Sequence, residues 1–117
     1  MSAARRSDGA ARRPTHAPVF AALGDETRLR LLARLSGGQR CSIAELTDGS
    51  TMTRQAVTKH LRVLERVGIV HAIRSGRERQ FAFDPQPIGE IQEYLAQVSR
   101  QWDQALARLK AFVEEEP

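Results

Sequence analysis

Between Thr53 and Gly68 the chain reads TRQAVTKHLRVLERVG, and this stretch limits the possible folds more than any other. Val57, Leu61 and Leu64 recur at helical spacing and make one apolar stripe, while Arg54, Gln55, Thr58, Lys59, Arg62 and Arg66 fall off it. Such a helix must bury one side and leave a cationic side in water, where it can meet an anion. Directly upstream, Ser42-Ile-Ala-Glu45 has the form of a capping box. It predicts a short helix that begins at Ser42 and ends near Gly49, a residue suited to the left-handed position after a helix.

Downstream, Val70 to Ile73 and Gln80 to Phe83 are strand-like runs on either side of Arg74-Ser-Gly-Arg-Glu-Arg79, a polar, Gly-containing hairpin tip with three arginines. Helix, tight turn, helix, basic hairpin is the layout of a winged helix-turn-helix. Ahead of it, Val19, Phe20 and Leu23 form a brief apolar cluster behind Pro18, which suits a first helical turn. Asp25 can cap a second helix, in which Leu29, Leu31, Leu32 and Leu35 are expected in the core and Arg28, Arg30 and Arg34 outside, before Ser36-Gly-Gly38 ends it. For Arg28 a structural contact is favoured over one to phosphate.

After Asp84-Pro-Gln-Pro87, with Pro87 placed for the first helical position, Ile88, Ile91, Leu95, Val98, Trp102, Ala105, Leu109 and Phe112 follow at alternating steps of three and four. A helix from Ile88 to Glu115 would be on the order of 42 Å long, more than the small domain can cover. The stripe therefore predicts pairing with a second copy, with Phe20, Ile91, Leu95, Val98, Trp102 and Leu109 at the interface. The expected class is mainly α with a small β-hairpin wing, dimerising through a long C-terminal helix. Residues 1–15 are expected as a disordered basic tail, 16–84 as the winged helix-turn-helix, and 85–117 as the dimerisation helix.

Charge is distributed to match. The net charge is +4, yet residues 51–70 carry four Lys/Arg against one Glu, residues 71–83 three against one, and residues 84–117 three against seven acidic groups. Positive charge sits on the recognition helix, the wing and the tail, where Arg5, Arg6, Arg12 and Arg13 lie. Double-stranded DNA is the natural partner, because neutralising phosphates releases counterions. No apolar run approaches the roughly 20 residues of a membrane helix, and the N-terminus has no apolar core of secretory type, so a cytoplasmic protein is expected.

The strings Leu23-Gly-Asp-Glu-Thr-Arg-Leu-Arg-Leu-Leu32, Thr58-Lys-His-Leu-Arg-Val-Leu64, Gly68-Ile-Val70 and Arg74-Ser-Gly-Arg77 together resemble the ArsR family of bacterial winged-helix repressors, over about Pro18 to Phe112. The resemblance implies a homodimer held by the first and last helices that binds an operator and represses transcription. Metal-sensing members of that family resemble one another in a cysteine pair before the recognition helix, or in Asp/His and His/Glu ligands on the last helix. This chain departs from both: it has Cys41 alone, no histidine in its last helix, and His16, His60 and His71 at no converging spacing. No metal site and no cofactor are expected. His60, beside the apolar stripe, reads as a partly buried residue satisfied locally.

Arg54, Gln55, Thr58 and Lys59 are expected nearest the base edges, Lys59 and Arg62 on phosphates, and Arg77 or Arg79 at the wing tip in or beside the minor groove. Two other functions fit the same residues: a winged-helix module that docks an acidic protein, and a thiol-responsive regulator using Cys41, which lacks a second cysteine in the chain to resolve it. Catalysis is not expected. No nucleophile and base, Gly-rich phosphate loop or carboxylate dyad is arranged for it, and Asp25-Glu26 reads as a cap and first-turn charge.

Overall fold

The computed structural model describes residues 16–115; the expected basic tail, 1–15, lies outside them. The order is α1 (residues 16–23), α2 (Glu26–Leu35), β1 (Cys41–Ser42), α3 (Ile43–Thr47), α4 (Arg54–Arg66), β2 (Val70–Ser75), β3 (Glu78–Phe83) and α5 (Gln86–Glu114). Helices α2, α3 and α4 each start on a side chain that accepts a backbone N–H. Asp25 Oδ2 accepts from the Arg28 amide at 3.0 Å, and Thr53 Oγ1 accepts from that of Ala56 at 3.1 Å. At α3 the capping box is complete: the Glu45 amide donates to Ser42 Oγ at 3.1 Å and the Ser42 amide to Glu45 Oε1 at 2.8 Å. Each such cap contributes about 1 kcal/mol.

α4 ends in a Schellman turn. The Ile69 amide donates to Leu64 O and the Gly68 amide to Glu65 O, both at 3.0 Å, and Gly68 has φ +83. That left-handed backbone favours glycine, and it turns the chain directly into the wing. The hairpin pairs Val70 with Phe83 through to Ser75 with Glu78, leaving a two-residue connection of Gly76 and Arg77. Gly76 has φ +65 and Arg77 does not have positive φ, the signs of a type II′ turn. The strands are thus two residues longer at the tip than expected, and Arg74 and Arg79 stand opposite each other within them.

The sheet has a third strand beyond the two of the expected hairpin. Its order is β1-β3-β2, all antiparallel, with Cys41 opposite Phe81 and Ser42 opposite Gln80. Ser42 therefore serves both the sheet and the cap of α3, which anchors a five-residue helix too short to persist alone. Arg34 adds a second anchor from α2, donating to Leu46 O at 3.2 Å.

Leu35, Leu46, Val57, Leu61, Leu64, Ile69 and Val70 are fully buried, with Leu31, Leu32, Phe81 and Ile91 around them. Leu29 is a correction to the expected core: it is 49% exposed, because it lies on the far side of α2 from Leu31, Leu32 and Leu35. Pro87 occupies the second helical position of α5, after Gln86, since the Asp84 carboxylate accepts the Gln86 amide (2.9 Å) and starts the helix one residue earlier. α5 runs 29 residues, yet Ile91 is its one buried residue, at 5% exposure. Leu95, Trp102, Leu106, Leu109, Phe112 and Val113 all stand in water. No helix among the described residues is long and apolar enough to cross a membrane.

Two measurements check this packing. Leu61→Ala, at a site with no exposure, should lower unfolding stability by about 2–5 kcal/mol in urea titrations, through lost transfer energy and a residual cavity. Asp84 joins the wing to α5: besides the Gln86 amide it receives His71 Nε2 at 2.7 Å, while its own amide donates to Ile69 O. The Gln86 N–H first, and the His71 contact second, hold its carboxyl below the usual carboxylate range. A depressed folded-state pKa stabilises above the unfolded value and loses that effect as pH falls through the folded one. Asp84→Asn should therefore lower Tm at neutral pH, and the gap from the parent should close as pH drops below about 4.

Candidate nucleic-acid interface

The dimensions of α4 decide where its polar residues go. With Val57, Leu61 and Leu64 pinned in the core, the opposite side is left to solvent, and Arg54, Gln55, Lys59, Arg62 and Arg66 are all exposed. Arg54, Gln55, Thr58, Lys59 and Arg62 line one shallow groove along that side. Thr58 is half-exposed, and its hydroxyl donates to Arg54 O at 2.7 Å. Its proton is therefore engaged, which leaves the oxygen lone pairs and the methyl for a ligand. Arg54 also borders the turn between α3 and α4, alongside Asp48, Gly49 and Ser50.

The wing divides its arginines. Arg77 sits in the two-residue turn itself and is exposed at the apex. Arg79 does not. Its guanidinium lies 5.6 Å from the centroid of the Phe81 ring, two residues along the same strand, and its Nη2 is 4.0 Å from Glu65 Oε2 near the end of α4. The cation over the ring and the nearby carboxylate draw it back from the tip towards the helix. At that distance and exposure the ion pair itself is worth about 0–1 kcal/mol, so the contact orients more than it stabilises. One physical reason for the turn-back is the register: Arg74 and Arg79 are paired across the strands, where like charges repel.

Behind the groove, His60 is half-buried and its Nδ1 lies 3.2 Å from Arg28 Nη1. Arginine can only donate, so Nδ1 accepts, and the proton of neutral His60 resides on Nε2. Asp25 Oδ2 is 3.7 Å from the same nitrogen, too far for a hydrogen bond. The Arg28 amide lowers the Asp25 pKa most, with the Arg28 charge and His60 acting in the same direction. Arg28 is thus tied inward as the structural option foresaw, and it is half-buried where the sequence placed it outside. The link to His60, 32 residues away, had no signal in the sequence.

Cys41 is buried and paired in the sheet with Phe81. Among the described residues no group of three or more His, Cys, Asp and Glu lies together as a metal ligand set. Of the residues expected between two copies, Ile91 is in the core of its own domain, while Phe20, Leu95, Trp102 and Leu109 are exposed and Val98 is half-buried. Tyr94 joins α5 to α1, stacking on His16 with centroids 4.6 Å apart and meeting Phe20 edge-on at 6.1 Å.

Known proteins are similar to this chain in sequence and architecture. A helix-turn-helix domain model matches residues 23–72. YuzN of Bacillus subtilis (strain 168), an uncharacterized HTH-type transcriptional regulator, is 40% identical over 79 residues, which are 62% of this chain and 86% of that protein. The HTH-type transcriptional repressor SmtB of Mycobacterium tuberculosis (strain ATCC 25618 / H37Rv) is 37% identical over 60 residues, 51% of this chain and 44% of the repressor. An ArsR-like transcriptional regulator from Rhodococcus sp. RHA1 superposes with a TM-score of 0.79 at 32% identity, covering 91% of this chain and 99% of the other. With a capped, basic helix-turn-helix and a hairpin wing of its own, and with almost the whole of such a relative covered at 32% identity, the chain belongs to the ArsR family of winged helix-turn-helix, DNA-binding transcriptional regulators.

Proposed function

We propose that this chain is a repressor that binds an inverted-repeat operator as a two-fold homodimer, with residues 16–84 as the DNA-binding unit and 85–117 as the dimerisation helix. The observation that carries this reading is the single groove lined by Arg54, Gln55, Thr58, Lys59 and Arg62 on the outer side of a helix whose inner side is locked in the core. In it the first turns of α4 enter the major groove. Gln55 suits bidentate pairing with adenine and Arg54 with guanine, and Thr58 presents a methyl to thymine or an acceptor to a neighbouring amino group. Lys59 and Arg62 hold phosphates, and Arg77 at the wing apex reaches the minor groove. Arg79 keeps a supporting part, holding the wing against the end of α4. The protein acts by binding rather than catalysis, in the cytoplasm.

The dimer rests on α5. Leu95, Trp102, Leu109 and Phe112 continue the stripe that begins at Ile91, and they are exposed in the lone chain, with Trp102 at 65%. A contiguous apolar surface of that length marks an interface, and a stripe with steps of three and four suits a second helix of the same kind. Phe20 and Tyr94, in contact across α1 and α5, extend it towards the body of the domain.

Selection of duplexes from a random pool, followed by titration of variants, tests the DNA assignment. Gln55→Ala should cost roughly 1–3 kcal/mol on the preferred site and blur one base pair per half-site, whereas Arg62→Ala should weaken all duplexes alike and lower the salt slope by about one unit. Equal binding of every sequence by parent and Gln55→Ala would sink it. Sedimentation tests the assembly: the intact protein should be a dimer at micromolar concentration, and Trp102→Glu with Leu109→Glu should shift it to monomer and weaken operator binding. A monomeric parent would refute the dimer.

A further inference from the structure

The guanidinium of Arg28 lies where three elements meet. Its Nε donates to Ala22 O at 2.6 Å and its Nη2 to Ala21 O at 3.3 Å, both carbonyls in the last turn of α1. Its Nη1 donates to His60 Nδ1 at 3.2 Å in the middle of α4, and its own amide donates to Asp25, the cap of α2. Among the described residues, and apart from the cap at Thr53, the other polar side-chain contacts to α4 from outside it are long, Arg79 to Glu65 at 4.0 Å and Asp25 to His60 at 3.7 Å. The rest of its hold is apolar: Val57, Leu61 and Leu64 pack by dispersion and burial, which have little directional preference. Small rotations of a helix about its axis, or tilts on its bed, change such contacts only slightly. Hydrogen bonds from a planar, rigid fork do not tolerate them, because they weaken steeply as the angle departs from linear.

His60 is next to Lys59 and two residues from Thr58 and Arg62, which line the outer groove. α1 carries Phe20, which stands at the edge of the apolar surface proposed for the partner subunit. The guanidinium therefore connects an element at the edge of the expected dimer contact with the element that reads DNA. We propose that Arg28 and His60 are positioning residues that fix the rotation and tilt of α4 relative to α1, and so set the half-site spacing the dimer accepts. The two-fold axis doubles any error, since both recognition helices move in opposite senses along the duplex. A displacement of under 2 Å in each protomer adds to about one nucleotide step of roughly 3.4 Å. This inference rests on the DNA-binding dimer described above.

The test compares the parent, His60→Leu, His60→Asn and Arg28→Lys on duplexes carrying the selected half-sites at varied separation, with circular dichroism and dimer content followed in parallel. Leucine fills the volume without an acceptor, and asparagine Oδ1 stands near the position of the histidine Nδ1. His60→Leu should lose about tenfold at the parent's best spacing and accept spacings one base pair longer or shorter nearly as well. His60→Asn should return to within about twofold of the parent with its spacing preference, a recovery that a residue serving only to fill the core would not show. Arg28→Lys, a folded cation without the fork, should bind with the relaxed spacing of His60→Leu; it decides the matter if His60→Leu does not fold. The proposal is overturned if His60→Leu or Arg28→Lys keeps the parent's spacing preference, or if His60→Asn is as impaired as His60→Leu. A parent that selects no duplex overturns the DNA reading and this inference with it, whereas a selective parent with unaffected variants overturns this inference alone.

Discussion

Burial of Val57, Leu61 and Leu64 is the constraint on which the rest of the molecule depends. Those three side chains have no exposure, and removing them from water contributes about 1.5–3 kcal/mol apiece. Because a helix turns about 100° per residue, fixing one side fixes the other, and Gln55, Lys59 and Arg62 can then face only outward. The basic surface is thus a geometric result of the core. A charge placed at position 57 or 61 would be buried, and a leucine at 55 or 62 would leave the core unchanged but strip the groove of a polar group.

Around that stripe the fold relies on small, directional contacts more than on area. α3 has five residues, far below the length at which a helix persists in water. It survives because Ser42 and Glu45 satisfy each other's amides, Ser42 also pairs in the sheet, Arg34 takes up the Leu46 carbonyl, and Leu46 itself is buried. These contacts share residues, so they form together or not at all. That cooperativity explains how a tight turn between two helices can hold one orientation, which a helix-turn-helix needs if its second helix is to meet a groove at a set angle.

What could be read from the sequence was whatever local chemistry determines. The caps at Asp25 and Ser42 and the apolar period of α4 are each set by residues within a few positions and stand as expected, and the cap at Thr53 and the left-handed Gly68, which the structure adds, are just as local. Leu29 was also legible in principle, since a wheel centred on Leu31, Leu32 and Leu35 leaves it more than about 100° away; three neighbouring leucines obscured the period. β1 was not legible, because two residues cannot display an alternation, and the pairing with Phe81 spans 40 residues of chain. Nor were the destinations of Arg79 and Arg28. A long cationic side chain can swing towards water, a ring or a carbonyl, and tertiary placement alone decides among them: Phe81 and Glu65 for the one, the end of α1 and His60 for the other. The groove on α4 was therefore foreseeable from spacing, while the Arg79 and Arg28 contacts beside it were not.

The unequal holds on the two ends of α5 bear on how the domain and its proposed assembly depend on each other. At its start, Asp84 receives the Gln86 amide and His71, Gly68 lies against Pro87, and Ile91 enters the core. Beyond Val98 the helix has no large side chain buried by its own domain. A lone protomer must therefore keep several exposed aromatic and aliphatic groups in water along a helix fastened only at its base. Covering them with a second chain, as proposed, would remove that apolar surface from water, so that folding and association share the same free energy. In such a system the stability of the DNA-binding unit rises with protomer concentration, because the dimer is the form that binding by a partner favours. The proposed inverted-repeat operator would add a further ligand to the same equilibrium: by binding two protomers together it would favour the dimer over two separate chains by mass action.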